Sequence, residues 1–248
     1  MDSSAELIEI FSSLQGEGLL AGYRQIFVRF PGCNLDCAFC DTSIEAPACC
    51  SVEDRPGSGN FIGMGQPVTC REICGLAADW CRQLPGAHHS FSITGGEPLL
   101  HAAILSNWLP HLRKVLPVHL ETNGTLPDQL KPLITDLDYI SMDIKLPTAA
   151  ATPEFWQIHR SFIEVARGKT LSVKVIVGEL TTREDLLAAC RLVAEADSAI
   201  PFVIQPVTGR DGKVAVASHK LLQWQAMAAG ILGDVRVIPQ MHRFMDVP

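Results

Sequence analysis

Short apolar runs alternate along the chain with longer stretches whose apolar residues recur every three or four positions. The runs at 25–30, 90–94, 118–122, 139–145, 171–177, 202–205 and 235–238 read as strands. The stretches at 69–84, 102–115, 153–167, 182–196 and 218–232 read as helices. The clearest is 182–196, with Leu186, Leu187, Cys190 and Val193 at helical spacing and Thr181 or Thr182 placed to cap its start. Strand–helix alternation with nearly continuous apolar strands predicts a parallel sheet covered by helices, an α/β fold. About six such units are too few for a closed eight-stranded barrel, so the pattern predicts an open, partial (β/α) barrel with its chemistry at the C-terminal ends of the strands. The segment 43–66 breaks the alternation, and its Gly, Pro and Ser content predicts a long loop.

The composition sets limits on this picture. The 248 residues fit one domain, 1–248, and a hydrophobic fraction of 47% supplies a substantial core. A net charge of −7 argues against direct binding to a nucleic-acid backbone. No apolar run approaches the roughly 20 residues that cross a bilayer, and the acidic start lacks the apolar core of a signal peptide. Nine cysteines without an export signal predict a reducing, cytoplasmic setting in which cysteine serves metals or cores. Cys70, Cys74 and Cys81 fall on one helix face, as buried helix cysteines do, and Cys49–Cys50 fall in the expected loop.

The densest chemistry lies in Cys33, Cys37 and Cys40, spaced C-x3-C-x2-C between Gly32 and Asp41-Thr42. Three thiolates from one short loop suit an iron–sulfur cluster with one iron left open. Structural zinc prefers a fourth protein ligand, and ordinary electron-transfer clusters use four cysteines. A second segment, Ser92-Ile93-Thr94-Gly95-Gly96-Glu97-Pro98, ends a predicted strand with two glycines that let backbone approach a ligand closely. Further strand ends offer polar groups: Glu121, then Ser141, Asp143 and Lys145 on one strand face, then Gln205. Asp143 and Lys145 are equally an ion pair, and polar residues at strand ends are common.

The cysteine spacing and the Gly-Gly-Glu-Pro turn resemble the radical S-adenosylmethionine (SAM) enzymes. The resemblance implies a TIM-like partial barrel of the radical SAM type, with Cys33, Cys37 and Cys40 on a 4Fe-4S cluster whose open iron binds SAM. Gly95, Gly96 and Glu97 would receive the SAM amino group, and Glu121, Ser141, Asp143, Lys145 and Gln205 would line the rest of it. Phe11-Ser12-Ser13-Leu14-Gln15-Gly16-Glu17-Gly18, with Phe27-Val28-Arg29-Phe30 and the C-terminal Pro239-Gln240-Met241-His242-Arg243, is similar to the family of 7-carboxy-7-deazaguanine synthases. That resemblance implies a lyase on a pterin substrate, 6-carboxy-5,6,7,8-tetrahydropterin, in queuosine biosynthesis. Gln15, Gly16 and Glu17 would read the pterin edge, Arg29 would hold its carboxylate by two parallel bonds, and Gly95, Gln240, His242 and Pro248 would complete the pocket. Thr42 would carry Mg2+, with a flavodoxin- or ferredoxin-type reductant and a homodimer as partners. The usual Ser-Pro-Lys of the family reads Ser141-Met142-Asp143-Ile144-Lys145 here. Two other readings fit the cysteines: an activase of glycyl-radical enzymes, and a non-catalytic iron–sulfur or zinc protein.

Overall fold

A computed structural model describes residues 3–40, 44–209 and 212–248. Its strands are β1 (Ser4–Ala5), β2 (Glu9–Leu14), β3 (Arg24–Phe30), β4 (Cys49–Glu53), β5 (Phe61–Gly65), β6 (Val68–Thr69), β7 (Ser90–Gly95), β8 (Val118–Thr122), β9 (Tyr139–Ile144), β10 (Thr170–Val177), β11 (Phe202–Pro206) and β12 (Val235–Val237). Its helices are α1 (Cys70–Gln83), α2 (Ala102–Leu112), α3 (Pro127–Leu130), α4 (Pro147–Ala150), α5 (Trp156–Ala166), α6 (Arg183–Asp197), α7 (Ser218–Ala229) and α8 (Met241–Met245). Ten strands form one sheet in the order β12-β11-β10-β9-β8-β7-β3-β2-β4-β5, and β12 and β5 are its two ends. From β3 to β12 every pairing is parallel. The sheet is open, as the count of strand–helix units predicts.

Local chemistry accounts for the helices. Thr69 accepts a bond from Glu72 N, and Glu72 reaches back 2.7 Å to Thr69 N, a reciprocal cap that starts α1. Below it Cys70, Ile73, Ala77 and Trp80 recur at helical spacing and are buried. Thr182 caps α6 by accepting from Asp185 N at 3.2 Å. The helices pack on the sheet face that carries Ile26, Val28, Phe91, Ile93, Leu120, Ile140, Met142, Val173 and Val175, and together they form one continuous core.

Two expectations are corrected. The parallel strands are not apolar on both faces. Gln25, Ser90, Ser92, His119, Glu121, Ser141, Ser172 and Lys174 alternate with the apolar residues and give the concave face a polar lining. The segment 43–66, expected as a long loop, holds the hairpin β4–β5, which extends the sheet beyond β2. Its Gly, Pro and Ser are concentrated in the turn between the two strands. There the buried Glu53 carboxylate accepts from Gly57 N (3.0 Å), Gly59 N (2.8 Å) and, across from β2, Ser12 N (2.9 Å). Gly57 and Gly59 sit at φ of +80° and +69°, where glycine is unstrained.

Candidate active site

The cysteine loop leaves the C-terminal end of β3 and is anchored by the turn after β7. Gly96 N donates to Phe30 O (3.3 Å) and Glu97 N to Gly32 O (2.8 Å). A Cβ on Gly95 would lie 2.1 Å from Phe30 O, and one on Gly96 would lie 2.0 Å from Gly32 O. The paired glycines therefore allow two backbones to meet, and that contact places the cysteine loop. Further along, Asn34 donates to Thr125 Oγ1 (2.8 Å) and accepts from Asn123 Nδ2 (2.9 Å). Cys40 N bonds Cys37 O (2.9 Å), and Ala38 N bonds Ala150 O (3.0 Å). The Lys145 ammonium sits 5.3 Å from the centre of the Phe39 ring.

Cys33 and Cys37 are half-buried, and Cys40 is exposed. Burial raises the Cys33 and Cys37 thiols, Glu97 and Cys40 raise Cys33 further, Asp143, Cys33 and Cys40 raise Cys37 further, and Lys145 works the other way on both. Metal coordination replaces those protons and relieves the repulsion. Among the described residues no group of three or more His, Cys, Asp or Glu side chains is gathered tightly enough to hold a single ion. The loop fits a cluster through its donor set, three thiols on one short turn beside a buried cation. Thr42, expected on Mg2+, lies outside the described residues.

Glu97 is fully buried and its carboxylate is taken up by the fold. It accepts from Leu99 N (3.0 Å), Asn123 N (2.7 Å) and Thr122 Oγ1 (3.0 and 3.1 Å). Burial raises this carboxyl, and the backbone donors oppose that shift. What the Gly95–Glu97 turn has left to offer a ligand is backbone.

The concave face carries the rest. Ser141, Asp143 and Lys145 share one face as expected, yet they serve different levels of the lumen. Ser141 Oγ lies 2.8 Å from His119 Nε2 and 3.3 Å from Ser172 Oγ, in the floor. Burial lowers His119 to about 4, so the floor is neutral there. Glu121 accepts from Ser92 Oγ (2.5 Å) and Gln15 Nε2 (3.0 Å). Above them runs a chain of alternating charge. Glu17 pairs with Lys174, Lys174 lies 3.5 Å from Asp143, and Asp143 lies 2.9 Å from Lys145. Asp143 Oδ1 and Gln205 Oε1 are buried with no hydrogen-bond partner among the described residues. Two buried acceptors without donors fit a ligand that brings hydroxyl or amino hydrogens.

Three residues expected to contact substrate have partners or exposure that the sequence does not show. Both amide hydrogens of Gln15 are engaged, by Gln25 Oε1 (3.0 Å) and Glu121, and its Oε1 accepts from Glu17 N (3.0 Å). Gln15 therefore orders the turn more than it offers donors to a ligand. Arg29 lies on the concave face, but its Nε is held 2.6 Å from Glu9 Oε1, its partner across the β2–β3 register. Pro248 is exposed, and Val247 N folds back onto His242 O (3.3 Å). The tail otherwise docks where expected. Gln240 Nε2 donates to Glu17 Oε1 (2.9 Å), and Met241 N donates to Gly16 O (2.9 Å). His242 covers Gly16 so closely that a Cβ there would lie 2.1 Å from its Nδ1.

Lys174, Gln25, His119 and His159 were not singled out from sequence. Lys174 carried a faint signal, a lysine inside the otherwise apolar Val173-Lys174-Val175. His159 of α5 is fully buried, with Nε2 3.2 Å from Asn123 O, and burial lowers it to about 4.

Burial works to raise Glu17, but Lys174 and Gln240 bring it from 4.5 down to about 2. A carboxyl whose pKa falls on folding adds stability above its unfolded value, and that stability is lost as pH drops through the window from 4.5 to about 2. The full contribution is about 3 kcal/mol at ~1.4 kcal/mol per unit. Between about pH 5 and about pH 3 the urea midpoint of the apoprotein should therefore fall more steeply than that of Glu17→Gln. Parallel declines would remove Glu17 as the cause.

Comparison with known proteins bears on the same residues. The model of the radical SAM superfamily matches residues 27–204. The chain is 45% identical over 242 residues to a 7-carboxy-7-deazaguanine synthase of Geobacter sulfurreducens, covering 97% of each. It is 35% identical over 266 residues to that of Methanothermobacter thermautotrophicus, covering 98% of each. Among solved structures it resembles QueE from Escherichia coli, with a TM-score of 0.59 at 22% identity over 96% of this chain and 95% of that one. A radical SAM methyltransferase from Sphaerobacter thermophilus gives the same TM-score at 10% identity, over 94% and 77%. The structural likenesses speak to the fold alone.

Proposed function

The chain belongs to the radical SAM superfamily and, within it, to the family of 7-carboxy-7-deazaguanine synthases, and we propose that it is a carbon–nitrogen lyase converting 6-carboxy-5,6,7,8-tetrahydropterin to 7-carboxy-7-deazaguanine with loss of ammonia. The observation that carries this reading is a chain of charge across the lumen that joins two features. One is the three-cysteine loop at the C-terminal end of β3, beside Lys145 and Asp143, and the other is a largely enclosed carboxylate, Glu17, held by Lys174 and covered by Gln240 of the tail. An enclosed carboxylate held by an ammonium and an amide keeps lone pairs for the adjacent N–H donors on the amino-oxo edge of a pterin.

Cys33, Cys37 and Cys40 would hold a 4Fe-4S cluster, with SAM bound beside it. When bound, that pair supplies one-electron cleavage of SAM to a radical able to take hydrogen from carbon. The chain's own residues position and enclose. The backbone of Gly95, Gly96 and Glu97 would help hold the cofactor, and Asp143 Oδ1 and Gln205 Oε1 would accept from its hydroxyl or amino hydrogens. Glu17 orients the pterin ring, and Gln240 and His242 keep water from above. Arg29 would meet the substrate carboxylate through the guanidinium nitrogens beyond its Glu9 bond, and Thr42 would carry Mg2+. The enzyme takes its electron from a flavodoxin- or ferredoxin-type protein and works as a cytoplasmic homodimer on the route to queuosine in tRNA.

Anaerobic reconstitution with iron and sulfide, then dithionite, SAM, Mg2+ and 6-carboxy-5,6,7,8-tetrahydropterin, should yield the deazaguanine by mass spectrometry. Deoxyadenosine without deazaguanine would remove the substrate assignment and leave the radical chemistry. Unchanged turnover in Glu17→Gln would point instead to a substrate read elsewhere, as an activase would.

A further inference from the structure

Lys174 occupies the middle of β10, with its ammonium in the lumen between two carboxylates from different elements. Glu17 comes from the turn after β2, beneath the tail, and Asp143 from β9, beside the cysteine loop. The Lys174 side chain is 13% exposed and that of Glu17 18%, so neither partner is screened by bulk water. An enclosed carboxylate without a cation protonates rather than remain charged. An enclosed lysine bridging two carboxylates is correspondingly committed to its charge. The surrounding titratable groups are Glu121 from β8, Lys145 after β9, His119 in the floor and His242 from α8. Lys174 and His242 both act on Glu17 as cations, and Lys174 is bonded to it.

We propose that Lys174 is the specificity-determining positioning residue of the pocket: clamped between Glu17 and Asp143, its ammonium holds the Glu17 carboxylate as a fixed, charged acceptor for the donor edge of the bound heterocycle. This rests on the reading of Glu17 as the pterin-facing acid. Lys174 touches no substrate atom in this arrangement and acts through Glu17. A ring that presents N–H donors side by side is accepted. A ring that presents an acceptor there faces a buried negative charge that cannot take up a proton while Lys174 is present, and it is rejected.

The test is a binding titration that needs no turnover. The probe is 6-carboxypterin, followed by its own fluorescence, with wild type, Lys174→Met, Lys174→Arg, Glu17→Gln and the double variant Glu17→Gln/Lys174→Met. Lys174→Met should weaken the probe by roughly tenfold to a hundredfold at neutral pH, the range of a lost hydrogen bond to a charged group. The weakening should be larger at about pH 5 than at about pH 7, because loss of Lys174 leaves burial to lift the Glu17 carboxyl, and base restores its charge while the pterin keeps its ring N–H. Wild type should show no such pH dependence from Glu17. Lys174→Arg should recover most of the affinity, and the double variant should bind no worse than Glu17→Gln alone. A loss that is independent of pH, or that arginine does not repair, or that adds fully to that of Glu17→Gln, would overturn the positioning role. Should Lys174→Met fail to fold, the double variant removes both charges together, and Lys174→Arg against wild type still decides the matter. Wild type that binds no pterin, with the fold intact, would instead remove the reading of Glu17.

Discussion

Alanine at Cys37 is expected to reduce both deoxyadenosine and deazaguanine to background, a loss of more than roughly a thousandfold, with the apoprotein as stable as wild type. Three thiolates are one short of the usual four for such a cluster, so a two-thiolate loop holds it poorly and no spare ligand stands by. The fold does not depend on this side chain. What Cys37 gives to the loop is its carbonyl, which accepts from Cys40 N, and alanine keeps it. The unfolding free energy should therefore change by less than about 1 kcal/mol. Cys190 offers the contrast: it is buried in the core, where burial pushes its thiol up to about 12. Truncating it should lower stability and spare the iron content. Iron and sulfide analysis of the two variants, run beside denaturant unfolding, separates ligand from core residue. Cys37→Ala that keeps a full cluster would sink the ligand assignment.

Glu97→Ala is expected to cost about 3–5 kcal/mol of unfolding free energy, the range for opening a buried charged network. The change strands the N–H groups of Leu99 and Asn123 and the Thr122 hydroxyl inside the protein. It also frees the turn whose backbone holds Gly32 at the root of the cysteine loop. Glu97→Gln should fall between, since an amide supplies one acceptor and places a donor against donors. Equilibrium urea unfolding of the apoproteins measures both. A loss below about 1 kcal/mol for alanine would mean that the turn is held by something other than this carboxylate.

How far the site could be read from sequence depended on how local each interaction is. The cysteine loop was legible because its three cysteines lie within eight residues, 33–40. Gly95–Glu97 was legible as a motif, but the occupation of Glu97 was not, because its partners Thr122 and Asn123 lie 25 and 26 residues further on. The bond of Arg29 to Glu9 was not legible because Glu9 meets it only through the antiparallel register. Lys174 looked like an isolated lysine in a valine-rich run, since Asp143 and Glu17 reach it from a neighbouring strand and a distant turn. The hairpin β4–β5 was hidden by the composition of its own turn, and Phe61-Ile62-Gly63-Met64-Gly65 has no alternation to betray a strand. Five helices were readable because each keeps an apolar stripe, and α1 and α6 also carry a threonine cap.

The roof over Glu17 has a consequence in time. Gln240 and Glu17 are 223 residues apart in sequence. At about 5–20 residues per second of synthesis, the turn that carries Glu17 leaves the ribosome roughly 10–45 s before the residue that covers it. The pocket around Glu17 is therefore completed only after residue 240 has been made, whatever the order in which the strands pair, and slow codons late in the message would delay it.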